Sequence, residues 1–284
     1  MSTETVGASA LARPAGKTTR KNRKGSYLAD FGLPLLVLAL IIGFAYFVTY
    51  VVLAEDRRFL LPPLHEVIQV SFLDADNRNQ ILEALWRTTV IAMVGLAISV
   101  LLGTVFAVVM ASARWLERSL FPYAVVLQAI PILALVPLMG FWFGFGFTAR
   151  VIVCVICSIF PIIANTLFGL QSVEPGHRDL FRLRGAKPGT VLTKLLIPAA
   201  LPSVFTGLRI SAGASVIGAI VGDTYFRQGD PGIGILIDLF RSRLQSEQLF
   251  GAIIASSLLG IVVFAFFTWL SRRLVGHWHA SGRL

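Results

Sequence analysis

Between two apolar blocks the chain reads Glu174-Pro175-Gly176-His177-Arg178-Asp179-Leu180-Phe181-Arg182-Leu183-Arg184-Gly185-Ala186-Lys187-Pro188-Gly189, followed shortly by Leu195-Leu196-Ile197-Pro198. Glu174 and Pro175 predict a helix start, because a carboxylate suits the positive end of a helix and proline tolerates its first turn. Gly185 can take positive φ and so end that helix. A second helix is expected from Lys187-Pro188, with Val191, Leu192, Leu195 and Leu196 on one half-buried face. Pro198 and Pro202 are expected to separate it from the next apolar block. The stretch is too ordered for a plain connector and too poor in catalytic groups for an active site. It reads as a basic structure gripped by a partner.

Working outward, the flanking blocks place this loop in a membrane protein. Of 284 residues, 56% are hydrophobic and 14% charged, and the mean hydropathy is +0.77. An ordinary water-soluble domain, about half apolar, is excluded. The apolar residues come in blocks of about 20, the length that crosses roughly 30 Å of hydrocarbon as a helix. Six spans are expected, over 31–54, 88–112, 121–147, 151–170, 203–222 and 249–270. The third holds Pro122, Pro131 and Pro137 and ends in Gly140-Phe141-Trp142-Phe143-Gly144-Phe145-Gly146, so a kinked helix breaking into a turn is expected.

The formal charge of +10 does not point to nucleic acid, because the basic residues sit in short loops and tails around apolar spans. With the N-terminus inside, the cytoplasmic segments hold 16 Lys and Arg and the outer ones 8, Arg150 counted among the outer loops. That excess puts both termini in the cytoplasm of a multi-pass protein. Arg209, near the cytoplasmic end of the fifth span, can snorkel to the interface or pack between helices. Residues 1–30 read as a disordered basic cytoplasmic tail, 31–274 as the membrane domain, with its loop at about 171–202, and 275–284 as a cytoplasmic tail. The first block is too long for a signal-peptide core and lacks a cleavage pattern after it.

On the outer side, 55–87 reads as a soluble connector with a short helix near Pro62 to Phe72. In 223–248, Gly229-Asp230-Pro231-Gly232-Ile233-Gly234 reads as a turn, and Ile235 to Phe240 as an amphipathic helix along the membrane surface. The turn lacks the preceding strand and following lysine of a phosphate cradle. Cys154 and Cys157 lie in an apolar span and read as inert small residues rather than a redox or metal pair. His65, His177, His277 and His279 lie in loops or the tail. No metal, cofactor or catalytic set is expected on this chain. Gln128, Asn165 and Ser215 are polar groups in apolar helices that either line a pathway or bond between helices.

The spacing of Gly185, nine residues, then Leu195-x-Ile197-Pro198 resembles the signature loop of the membrane subunits of bacterial ABC importers: Glu-Ala-Ala, three residues, Gly, nine residues, Ile-x-Leu-Pro. Asp179 stands at the motif's glutamate, while Leu180 and Phe181 replace its alanines. Pro131 to Leu138, Trp142-Phe143-Gly144, Phe160 to Thr166, Pro198 to Arg209 and Gly232-Ile233-Gly234 resemble the subfamily for nitrate, sulfonates, taurine and pyrimidine thiamine precursors. Asp223 falls where that subfamily usually has a glutamate, and Phe141 to Phe147 is closest to permeases for pyrimidine- or riboflavin-like vitamins.

The resemblance implies an all-α, polytopic fold of six transmembrane helices, the type I importer permease fold, in a bacterial plasma membrane. It implies two ABC ATPase subunits, a second permease subunit forming a homodimer, and an extracytoplasmic solute-binding protein. ATP and magnesium would be held by the ATPase, not by this chain. The ATPase would grip a coupling loop comprising Glu174, Arg178, Asp179, Leu180, Phe181, Arg184, Gly185, Ala186, Leu195, Ile197 and Pro198. The few buried charges favour a neutral or weakly charged solute. The rival reading is an ion-coupled secondary transporter or channel subunit, although such carriers place ionisable or broken-helix sites near the midplane and none is apparent here.

Overall fold

A computed structural model describes residues 24–275, and every regular element among the described residues is a helix. Helix α1, Lys24–Phe47, runs on through a widened turn at Val48–Val52 and forms a unit of its own ending at Ala54. Its apolar stretch Gly32–Val52 is long enough to cross a membrane. The expected disorder of 1–30 does not extend to residues 24–30, which are helical; 1–23 lie outside the described residues. The tail at 276–284, with His277 and His279, also lies outside them.

The second unit begins at Glu55 with a tight turn, Glu55–Leu60. It continues with α2 (Leu64–Ile68), a wide turn (Gln69–Leu73), α3 (Ala75–Ser112), α4 (Arg114–Ala129), α5 (Ile132–Phe143) and α6 (Phe147–Gln171). Then come α7 (Pro175–Leu183), α8 (Pro188–Val191), a wide turn (Leu192–Leu196), α9 (Ile197–Tyr225), α10 (Ile233–Ser242) and α11 (Ser246–Val275). The helix expected between Pro62 and Phe72 is present as α2 and the turn after it.

Three expectations are corrected. The connector expected over 55–87 is helical from Ala75, because the Asp74 carboxylate accepts the Asn77 backbone N–H at 2.9 Å and caps α3 well before its apolar part begins. Pro198 and Pro202 do not separate the loop from the fifth span. Pro198 falls in the first turn of α9, after the wide turn 192–196, where a missing N–H is tolerated, and Pro202 is accommodated inside the helix. The amphipathic helix begins at Ile233, and it buries Ile233, Leu236 and Phe240 against Ile81 and Ala84 of α3 and Ala252 and Ala255 of α11. Its apolar face is therefore covered by protein rather than laid on lipid.

The third span is broken rather than kinked: α4 and α5 meet at 98°. Ile130 is extended, as a residue before proline prefers, and Pro131 cannot continue the α4 ladder. Packing directions show that the bent pair still returns the chain across the bundle. Gly95 and Gly103 of α3 meet Cys154 and Ile162 of α6, so these helices run parallel. Ala124 of α4 packs near Ile159 and Ile163, while Val136 and Met139 of α5 pack near Ala149 and Val153, so the pair runs antiparallel to α6. Among the described residues five helices are long and apolar enough to cross a membrane, or six if the bent pair is one span.

Helix α9 runs antiparallel to α6 at very close range. An added Cβ at Gly207 would lie 2.7 Å from the Pro161 carbonyl oxygen, one at Gly218 2.9 Å from Cys154 Cα, and one at Gly222 3.1 Å from Arg150 Cα. Glycine lets the two backbones approach, which is how helices gain packing energy where lipid offers no hydrophobic drive. Serines tie α3 into this core: Ser215 donates to the Ala92 carbonyl at 2.6 Å, Ser211 to the Ser158 carbonyl at 2.6 Å, and Ser99 meets Ser158 at 2.7 Å. One end of the α6–α9 pair thus carries α7 and α8, and the other faces α10.

Candidate functional site

Pro175 opens α7 in its first turn, with Glu174 ahead of it. The helix ends as the glycine demanded: Gly185 has φ +67, its N–H donates to the Arg182 carbonyl at 2.9 Å, and the Ala186 N–H donates to the Phe181 carbonyl at 3.0 Å. These paired bonds close the helix end and turn the chain sharply into Lys187 and α8. Arg178 reaches back to donate to the Leu170 carbonyl at 2.7 Å, fastening α7 to the end of α6. Asp179 forms an exposed pair with Arg182 at 3.7 Å, and Glu174 one with His177 at 3.7 Å.

The apolar residues of α7 point outward. Leu183 is 86% exposed and Leu180 50% exposed, whereas Phe181 and Ala186 are half-buried. Arg182, Arg184 and Lys187 are exposed around them. In the following segment Val191, Leu192, Leu195, Leu196 and Pro198 are half-buried and Thr193, Lys194 and Ile197 exposed, matching the expected face. The result is a short basic helix with two bare leucines, set between the adjoining ends of α6 and α9.

The three polar residues considered for a pathway are not brought together. Gln128 is exposed near the end of α4, two residues before the 98° break. Asn165 donates to the Pro161 carbonyl at 2.8 Å within α6 and packs against Gly207. Ser215 is fully buried on its bond to α3. Cys154 and Cys157 are both free, Cys154 buried and Cys157 half-buried.

At the opposite end of the α6–α9 pair lies a cluster that the charge count missed. Arg150, taken there as a loop residue, is the fourth residue of α6, and its side chain is 4% exposed. It faces Asp223 of α9, fully buried, at 3.2 Å. The other Asp223 oxygen accepts the Thr88 hydroxyl of α3, and that hydroxyl in turn accepts the Ile233 backbone N–H at 2.9 Å. Arg150 donates further to three loop carbonyls: Phe226 at 2.8 Å, Gln228 at 3.0 Å and Asp230 at 3.1 Å. One guanidinium therefore gathers the loop between α9 and α10 onto the end of α6. The sequence signal was a charge at the rim of each of two spans, but their pairing across 73 positions is a tertiary fact.

A family model described as the inner membrane component of binding-protein-dependent transport systems matches residues 95–276. The formylaminopyrimidine transport permease protein of Halalkalibacterium halodurans is 36% identical over 178 residues, covering 63% of this chain and 70% of that protein. A probable ABC transporter permease protein of Haemophilus influenzae is 29% identical over 246 residues, covering 85% and 96%. The riboflavin transport system permease protein of Chloroflexus aurantiacus is 33% identical over 171 residues, covering 60% and 63%. Among solved structures, an amino acid ABC transporter crystallised with histidines matches in fold at a TM-score of 0.54 and 21% identity, over 70% of this chain and 96% of that one.

Proposed function

Because the chain belongs to the family of inner membrane components of binding-protein-dependent transport systems, we propose that its 174–198 segment is the coupling loop on which a separate ATPase subunit acts. The chain is a permease component of an ABC importer, and its relatives are transport permeases rather than enzymes. The observation that carries the proposal is the glycine-closed α7, which presents Leu180 and Leu183 bare among arginines. Two exposed leucines on a helix joined to the ends of two spans fit an apolar groove with an acidic rim. The bulky residues that depart from the family pattern thus divide: Leu180 faces the partner, while Phe181 supports the helix from behind. Asp179 and Arg182 keep α7 charged at its edge, and Leu195, Ile197 and Pro198 carry motion onward into α9.

In this reading α7 and α8 face the cytoplasm, α10 faces outward, and both termini are cytoplasmic in a bacterial plasma membrane. The working unit is a homodimer of this chain with two ATPase subunits, which hold ATP and magnesium, and an extracytoplasmic binding protein that delivers a small solute. Solutes named for the relatives are formylaminopyrimidine and riboflavin, so pyrimidines and flavins come first in a thermal-shift screen of the cognate binding protein, with nitrate and sulfonates beside them.

The test is Gly185→Val in the reconstituted complex. A β-branched residue at φ +67 is strained and opens the end of α7. Transport-linked ATPase activity and uptake should both fall, by about tenfold for a coupling loss of 1–2 kcal/mol. Wild-type levels of both would end the coupling proposal.

A further inference from the structure

We propose that Arg150 and Asp223 are positioning residues that lock the 226–233 loop to the outer end of the α6–α9 pair, so that this loop moves with the coupling loop at the inner end. The inference rests on the coupling reading above and adds a second, outer end to it.

Three observations converge. First, the loop's backbone is held chiefly from one point: Arg150 takes the carbonyls of residues 226, 228 and 230 at 2.8 to 3.1 Å, and Asp223, the charge that retains Arg150, also anchors Thr88, which holds Ile233 N–H. Gln228 N–H to the Phe145 carbonyl at 3.0 Å and Arg87 to the Pro231 carbonyl at 3.4 Å add further ties. Second, α6 and α9 approach closely at Gly207, Gly218 and Gly222, where an added Cβ would lie 2.7 to 3.1 Å from backbone atoms of α6, so sliding one helix along the other would break this fit. Third, the loop gripped at the other end of this body, residues 172–196, is the one that joins the same two helices. A displacement of α7 would therefore reach residues 226–233 through a close-packed pair and a charge lock.

Stability alone does not account for the lock. A buried ion pair roughly cancels its own desolvation cost, and well-packed apolar residues serve stability as well or better. Charges inside membrane proteins default to function. What Arg150 does that leucine or methionine could not is direct hydrogen bonds at three carbonyls of this loop.

The experiment uses the permease assembled with its ATPase, in a background carrying Cys154→Ala and Cys157→Ala. Spin labels go on Lys194→Cys, within the coupling loop, or on Gln228→Cys, in the outer loop; both positions are exposed. The probe is ATP with vanadate. In the unaltered lock, both labels should change spectrum on trapping. With Arg150→Gln, and with the milder Thr88→Val, the response at 194 should persist while that at 228 falls by about tenfold. Silence at 194 in the unaltered protein would overturn the coupling reading itself. With 194 responding, the lock is overturned if 228 is silent in the unaltered protein, if 228 responds equally in both variants, or if both variants lose the two responses together.

Discussion

At the scale of single residues, the decisive pair is Arg150 and Asp223, and what matters is that neither can be removed alone. Asp223→Leu leaves a guanidinium buried at 4% exposure without its counter-charge. It should lower stability by about 3–5 kcal/mol, read as a drop in the thermal midpoint of the purified protein. Adding Arg150→Met should restore most of that loss while leaving transport impaired. A single variant as stable as the parent would show that the pair is not sustained by its charges. In the sequence Arg150 could be read only as a rim charge, because hydropathy scores each residue against its neighbours and the partner stands 73 residues away. Gly185 was legible for the opposite reason: positive φ at a helix end is a local demand that the residue type itself answers.

At the scale of elements, α6 and α9 make a close contact through the glycines of α9. Gly218→Val would drive a side chain to within 2.9 Å of Cys154 Cα, a backbone atom that no rotamer change can move. Overpacking of this kind should cost about 1–3 kcal/mol, with Gly218→Ala at the lower end and uptake falling in step. Thermal midpoints and transport assays of the two variants check the order. Helix existence was readable from apolar length, and the ends of α7 from proline and glycine chemistry. Two features were not: α3 extends back to Ala75 through polar residues because Asp74 caps it, and the proline-flanked junction into α9 stays helical because a widened turn at 192–196 absorbs the misfit. Both depend on hydrogen-bond bookkeeping that periodicity does not register.

At the scale of the whole molecule, α7 and α10 lie at opposite ends of α9, a helix long and apolar enough to cross a membrane. An importer driven by its ATPase should stop when ATP is depleted and continue when a protonophore collapses the proton gradient; the reverse pattern in whole-cell uptake would favour an ion-coupled carrier. By itself the sequence determined the membrane class, the helix–glycine–helix loop and the family, because these follow from apolar length, residue type and fixed spacing along the chain. Only the tertiary structure decided that the third crossing is two helices at 98°, that α10 is covered by protein, and that Arg150 leaves the loop to meet Asp223. Each of those depends on which surfaces meet after folding, and a buried charge or a helix face has no assigned partner until the chain brings it one.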